Sequence, residues 1–178
     1  MKAVVVYESV YGNTREIAEA VAEGLRDGAE VEVSSVAGTS PSVVRGAGLL
    51  VVGGPTHLHR MASHMSMKAA FQDTKKKPDV HLEPDVDGPV LRDWFEELPN
   101  GQHVPAAAFD TRLGKPRFIT GSAAKGIAHR LSRHGYELVS DPESFIVDAT
   151  HGDKLLEGEL ERAREWGRSL VTSAEGRR

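Results

Sequence analysis

The chain has 178 residues, of which 39% are apolar, and a formal net charge of −4. That length suits one domain with a sizeable core, and the mild acidity argues against a broad nucleic-acid-binding face. There is no cysteine, which excludes disulfides, thiolate metal sites and thiol nucleophiles.

An apolar run, Ala3 to Val6, opens the chain and reads as a strand. It is shorter than the apolar part of a secretory signal, and no later stretch approaches a membrane span. The expectation is a soluble, cytoplasmic protein. A polar turn follows, Glu8-Ser9-Val10-Tyr11-Gly12-Asn13-Thr14. It runs directly into a helical pattern with Ile17, Val21 and Leu25 four residues apart. Gly28 marks a stop. Glu30-Val31-Glu32-Val33 alternates like a strand with one wet face, and Ser40-Pro41-Ser42 begins a short helix or turn. Leu49 to Val52 is a continuous apolar run, as in a strand covered on both faces, and Gly53-Gly54-Pro55-Thr56 is expected to end it sharply.

Residues Met61 to Phe71 fit a helix, broken by Lys75-Lys76-Lys77-Pro78, and the connection over about 72–90 is polar and long. Such a length fits either a lid or a loose edge. Val90 to Leu98 predicts a helix with Leu91, Trp94, Phe95 and Leu98 on one side. Val104 to Phe109 predicts a fourth strand, Thr111 to Pro116 a loop, Arg117 to Thr120 an extended piece, and Ser122 to His134 a helix. Tyr136 to Val139 and Ser144 to Val147 are two strand pieces broken by Asp141-Pro142. A last helix is expected from Leu155 to about Val171, with Trp166 and Leu170 in the core. Strands alternating with helices predict a parallel sheet with helices on both faces, in one domain over residues 1–178.

The turn after the first strand carries the chemistry. Backbone N–H groups at a helix start have no partner within the helix and lie at the positive end of its dipole. An anion fits there. Ser9, Asn13 and Thr14 add short polar side chains, and Gly12 allows close backbone approach. The competing reading is an ordinary helix cap by Asn13 or Thr14, with nothing bound. In an open α/β sheet, ligands lie beyond the carboxyl ends of the strands where the strand order reverses, which favours the phosphate cradle.

Ser9-Val10-Tyr11-Gly12-Asn13-Thr14 resembles the phosphate loop of the flavodoxins, (Ser/Thr)-x-(Thr)-Gly-Asn-Thr. With Tyr11 in the middle it is also similar to the Ser-x-Tyr-Gly loop of the flavodoxin-like NAD(P)H:quinone oxidoreductases. The resemblance implies a three-layer α/β/α, flavodoxin-like fold with a five-stranded parallel sheet in the order 2-1-3-4-5. It also implies FMN, with its phosphate at Ser9, Val10, Tyr11, Gly12, Asn13 and Thr14. Where Tyr11 stands, flavodoxins usually have a hydroxyl residue, so that contact would come from the Tyr11 backbone.

Gly54-Pro55-Thr56-His57-Leu58-His59-Arg60-Met61 is similar to the Gly-x-Pro-Thr-x-x-x-x-Met segment of the quinone oxidoreductases. By that resemblance, Pro55, Thr56, His57, Leu58, His59 and Arg60 border the isoalloxazine edge and offer backbone N–H groups near its N5 and O4. There is no Trp in this loop to cover the ring. Stacking by His57 or His59, packing by Leu58, and an open ring remain alternatives. Phe109-Asp110-Thr111-Arg112 follows the fourth strand, where flavodoxins often carry a stacking Tyr. Here Arg112 either meets the ring, by stacking or by drawing charge toward O2 and N1, or pairs with Asp110 on the surface.

His57, His59 and His64 raise a metal reading, but no carboxylate or cysteine completes a familiar set, so no metal is expected. Lys75 to Lys77 reads as a solvated loop and Ser122 as a helix N-cap. No nucleophile elbow, Walker loop or dinucleotide fingerprint occurs. The expected function is an FMN-binding redox protein. It either carries electrons to a partner protein or reduces a quinone-like acceptor with NAD(P)H, which leaves carrier and enzyme both open. The alternative is a binding or regulatory module that keeps the fold without the flavin.

Overall fold

The structure is a computed structural model. It describes residues 1–57, 60, 61, 83, 90–114, 121–148 and 154–176, with positions 57, 60 and 61 described through the backbone. Of the expected elements, the Met61 to Phe71 helix beyond Met61 and the Arg117 to Thr120 piece lie outside the described residues.

The strands are β1 (Lys2–Tyr7), β2 (Glu30–Ser35), β3 (Leu49–His57), β4 (Arg60–Met61), β5 (Pro105–Leu113), β6 (Glu137–Leu138), β7 (Glu143–Asp148) and β8 (Lys154–Leu155). The α-helices among the described residues are α1 (Asn13–Leu25), α2 (Leu91–Glu96), α3 (Ala123–Arg133) and α4 (Glu159–Glu175), with a short 3-10 turn at Pro41–Val44. The sheet runs β2-β1-β3-β5-β7-β8, with β4 on β3 and β6 on β5. Its long strands β2, β1, β3, β5 and β7 are parallel and keep the expected order.

Three two-residue strands join the five expected, and of these β8 widens the sheet. β6 and β7 both pair with β5, at Pro105–Ala106 and at Phe109–Leu113. They are one sheet edge interrupted around Asp141-Pro142, where proline cannot donate to a ladder. β8 runs antiparallel to β7, with Leu155 opposite Val147. The last helix therefore begins at Glu159, after Gly158 at φ 85, and not at Leu155. Apolar Leu155 and Leu156 extend the helical spacing in the sequence, but Leu155 pairs in the sheet and the Leu156 N–H donates to the Ile146 carbonyl at 2.9 Å.

β3 is also longer than its sequence suggests. Gly53-Gly54-Pro55-Thr56 does not end the strand, which continues to His57 and pairs Gly53, Gly54 and Pro55 with Phe109, Asp110 and Thr111 of β5. The two glycines are there for packing. A Cβ on Gly53 would run into the Phe109 ring, and one on Gly54 would lie 3.2 Å from Leu91 Cδ2. β5 likewise continues to Leu113, so Asp110, Thr111 and Arg112 are strand residues and not loop.

Alternation along the strands feeds two cores. Val4, Val6, Leu50, Val52, Ala106 and Ala108 face α2 and α3. Ala3, Val5, Leu49, Val51, Ala107 and Phe109 face α1 and α4. This is the three-layer α/β/α arrangement. Leu170 is fully buried as expected, and Trp166 packs edge-on against Phe109 and Phe145 with centroids 6.1 and 6.0 Å away. Such pairs favour this T-shaped geometry.

α1 and α4 touch through glycine. A Cβ on Gly24 would meet the Arg164 carbonyl, and one on Gly167 would meet the Val21 carbonyl. Backbone cannot yield as a side-chain tip can, so alanine at either site must push the helices apart. Gly167→Ala should lower stability by about 2–3 kcal/mol despite its better helix propensity, as read from the midpoint of urea unfolding.

Candidate functional site

At the carboxyl ends of the strands the alternation persists but the residues turn polar. On the α2/α3 face, Val4 and Val6 of β1 are followed by Glu8, which is only 5% exposed. Its Oε2 accepts the Leu91 N–H at 3.1 Å, at the start of α2. On β5, Ala106 and Ala108 are followed by Asp110, which is fully buried. Asp110 Oδ2 accepts from the Thr56 hydroxyl at 2.9 Å, the Ser122 hydroxyl at 2.8 Å and the Ala124 N–H at 2.9 Å. Thr56 Oγ1 in turn accepts the Ala123 N–H at 2.8 Å. The first amides of α3 are thus answered by side chains from β3 and β5. Ser122 holds the N-cap position that its sequence suggested, yet its hydroxyl donates to Asp110 and makes no cap bond of its own. A carboxylate at a helix N-terminus is favoured by the dipole.

α1 begins differently. Its N-cap is Gly12 at φ 91, a conformation that suits glycine, and no side chain is supplied by the cap. Ser9 Oγ accepts the Gly12 N–H at 3.2 Å and the Arg15 N–H at 3.4 Å, which folds the loop on itself. Val10 is buried beneath it, whereas Tyr11 and Asn13 are half-buried. Thr14 is 2% exposed, and its hydroxyl lies 2.7 Å from that of Thr111, the next residue of β5 on the α1 face. The strand and the helix start are therefore tied together at the loop.

One residue from far along the chain joins them. Glu83 donates its N–H to the Val10 carbonyl at 2.9 Å, and its Oε1 accepts from Arg15 Nε at 3.0 Å. The same Oε1 lies 3.1 Å from where a Gly12 Cβ would be. Arg15 also pairs with Glu19 at 3.2 Å. The hydrogen bond to Glu83 raises the Arg15 pKa further, against the opposing pull of desolvation.

The structure joins Thr14 to Thr111 through their hydroxyls, Thr111 pairs with Pro55 in the sheet, and Thr56 bonds to Asp110 beside it. Phe109 lies in the core against Phe145 and Trp166. Asp110 is engaged with α3, and Arg112 Nη1 donates to the Leu113 carbonyl at 3.2 Å. His57 and Arg60 pair across β3 and β4 by their backbones, while Leu58 and His59 lie outside the described residues. Among the described residues there is no group of three or more metal-ligating side chains, and no helix is long and apolar enough to cross a membrane. The sequence places Glu8 and Arg15 at this turn without marking a role for either, and it does not mark Glu83 as a member of the region. The period-2 step from Val4 and Val6 to Glu8 was a usable signal. Nothing local marks Glu83, which is 68 residues from Arg15.

A parallel sheet in this order, with a glycine-capped helix start beyond its first strand, defines a flavodoxin-like α/β protein. Residues 4–76 match the family model of the flavodoxin domain. Among solved structures, a flavodoxin from the domain Archaea superposes with a TM-score of 0.66 at 21% identity, covering 98% of this chain and 99% of that one. Flavodoxin 1 from Bacillus cereus gives 0.66 at 18%, covering 97% and 98%. A WrbA-like flavodoxin from Agrobacterium tumefaciens gives 0.62 at 21%, covering 99% of each chain. These likenesses are of fold. No curated protein matches the sequence.

Asp110→Ala should destabilise the protein by about 3 kcal/mol, because two hydroxyls and an amide lose their shared acceptor inside the protein. Asp110→Asn, which keeps one acceptor oxygen, should cost roughly half as much in the same urea titration.

Proposed function

We propose that the protein binds FMN and works as a flavodoxin-like redox protein. The reading is carried by the start of α1. The first amides of α2 and α3 are answered by Glu8, Asp110 and Thr56. α1 starts on Gly12, which brings no capping side chain, and among the described residues the Arg15 amide of its first turn is accepted only by Ser9 of the same loop. A Cβ at Gly12 would narrow this cradle, and the positive φ disfavours any residue that has one. The residues fit a phosphate monoester there. Gly12 permits close approach, the Thr14 hydroxyl is held in place by Thr111, and the α1 dipole favours the anion. The edge formed by Pro55, Thr56 and the backbones of His57 and Arg60 would border the flavin ring on one side, with Thr111 and Arg112 on the other.

Bound FMN supplies reversible one- and two-electron transfer. The protein's own part is to hold the phosphate, orient the ring and control access to it. Electrons would come from a reductase or NAD(P)H and leave to a redox partner or a quinone-like acceptor. The aromatic-poor edge favours a ring that small acceptors reach. A module of the same fold without flavin is favoured by two observations, the Ser9 hydroxyl turned onto its own loop and the Glu83 carboxylate beside Gly12.

A titration with FMN, followed by absorbance and by flavin fluorescence, separates these readings. We expect stoichiometric uptake with a perturbed flavin spectrum, whereas a protein that leaves FMN unperturbed is the flavin-free module. Thr14→Val should weaken FMN binding about tenfold, the scale of a hydrogen bond to a charged group. It should leave riboflavin, which has no phosphate, unaffected.

A further inference from the structure

We infer that Glu83 is an affinity-setting residue of the phosphate loop, an internal carboxylate that an incoming phosphate monoester must displace from Arg15. The inference rests on the phosphate role proposed for Ser9 to Thr14, and three contacts carry it. The Glu83 N–H is anchored to the Val10 carbonyl, within the loop itself. Its carboxylate takes Arg15 Nε, on the first turn of the helix whose start forms the cradle. The same oxygen stands 3.1 Å from the Cβ position of Gly12, the point at which the loop opens. Glu83 is half-buried and its side chain is 18% exposed, so its charge is only partly screened by water.

A negative charge in that position has two effects. It neutralises Arg15, the cation that directly follows the loop. It also repels a phosphate monoester, which carries close to two negative charges at neutral pH. Like charges a few ångströms apart at a partly buried site interact more strongly than across bulk water. Glu83 therefore supports the loop when nothing is bound and opposes the anion that the loop receives. It also discriminates between ligands, because a flavin without phosphate meets no such repulsion. Glutamine has the same shape without the charge, and both its repulsion of the anion and its hold on Arg15 are weaker.

The test uses the full chain with Glu83→Gln and Glu83→Ala, and three probes: FMN, riboflavin and inorganic phosphate. Flavin binding is read by fluorescence quenching. Phosphate binding is read from amide chemical shifts of Gly12, Asn13 and Thr14. Both variants should bind FMN and inorganic phosphate about three- to tenfold more tightly than the wild type, the scale expected from one partly screened charge. Riboflavin affinity should not change, and the gain should shrink as ionic strength rises. An unchanged or weakened affinity for inorganic phosphate, or an equal gain for riboflavin, overturns the inference. If inorganic phosphate binds the loop more tightly in the variants while FMN perturbs neither protein, Glu83 keeps its role and the flavin reading fails. Uptake of FMN by the wild type with no change in the variants leaves the flavin reading standing and removes Glu83 from it.

Discussion

The molecule depends on one constraint, the placing of polar atoms where buried parallel strands stop. β1, β3 and β5 are covered by helices on both faces, so nearly every side chain along them is apolar. Beyond their carboxyl ends the helices start, and each start presents amides with no partner inside the helix. Buried donors left unmade are expensive. The chain answers them from the strands themselves. Asp110, with Thr56, closes the start of α3, and Glu8 closes the start of α2. The buried carboxylates are therefore part of the scaffold. They lie next to the candidate site and define its floor, but their donors come from the protein.

The start of α1, like that of α4, falls on a glycine in the left-handed region. Gly12 brings no capping side chain; its carbonyl accepts the Glu16 N–H, Ser9 Oγ accepts the Arg15 N–H, and Glu83 takes the Arg15 side chain. The position of α1 is set from its other end and flank. Gly24 and Gly167 bring its backbone against α4, and the Thr14–Thr111 hydrogen bond fastens its first turn to β5. The helix that follows the loop is thereby fixed near both of its ends. Selectivity for a ligand would then come from charge and from the few atoms that face outward, more than from rearrangement. The Glu83 carboxylate, 18% exposed, is screened by water less than exposed ion pairs such as Arg168–Asp27, which contribute little.

The edges proposed for a flavin ring and for its phosphate differ in how well their own residues define them. At the phosphate loop, backbone geometry, helix dipole and hydroxyls converge. At the ring edge, two residues expected to frame the cofactor are held elsewhere. Phe109 is drawn into the aromatic group with Phe145 and Trp166, and Asp110 into the α3 start. What remains at that edge is backbone from β3 and β4, with Thr111 and Arg112 beside it. A ring bound there would be held more by main-chain groups than by an aromatic sandwich, which fits a function open to small acceptors.

The sequence by itself determined the alternation of strand and helix, the parallel sheet and the special turn after the first strand. Those features are local: apolar runs, four-residue spacing and a Gly-Asn-Thr step need no distant partner to be legible. Even the order of the long strands followed from the resemblance that the Ser9 to Thr14 loop carries. The tertiary structure decided the rest. Gly53 and Gly54 look like strand terminators until the Phe109 ring and Leu91 are seen filling the space that their side chains would need. Leu155 looks helical until Val147 pairs with it. Asp110 looks like a loop residue until an α3 amide and two hydroxyls converge on it, and Glu83 has no local mark at all. In each case the deciding partner is far along the chain. Hydrogen bonds and close packing between such partners come into being only when the layers assemble.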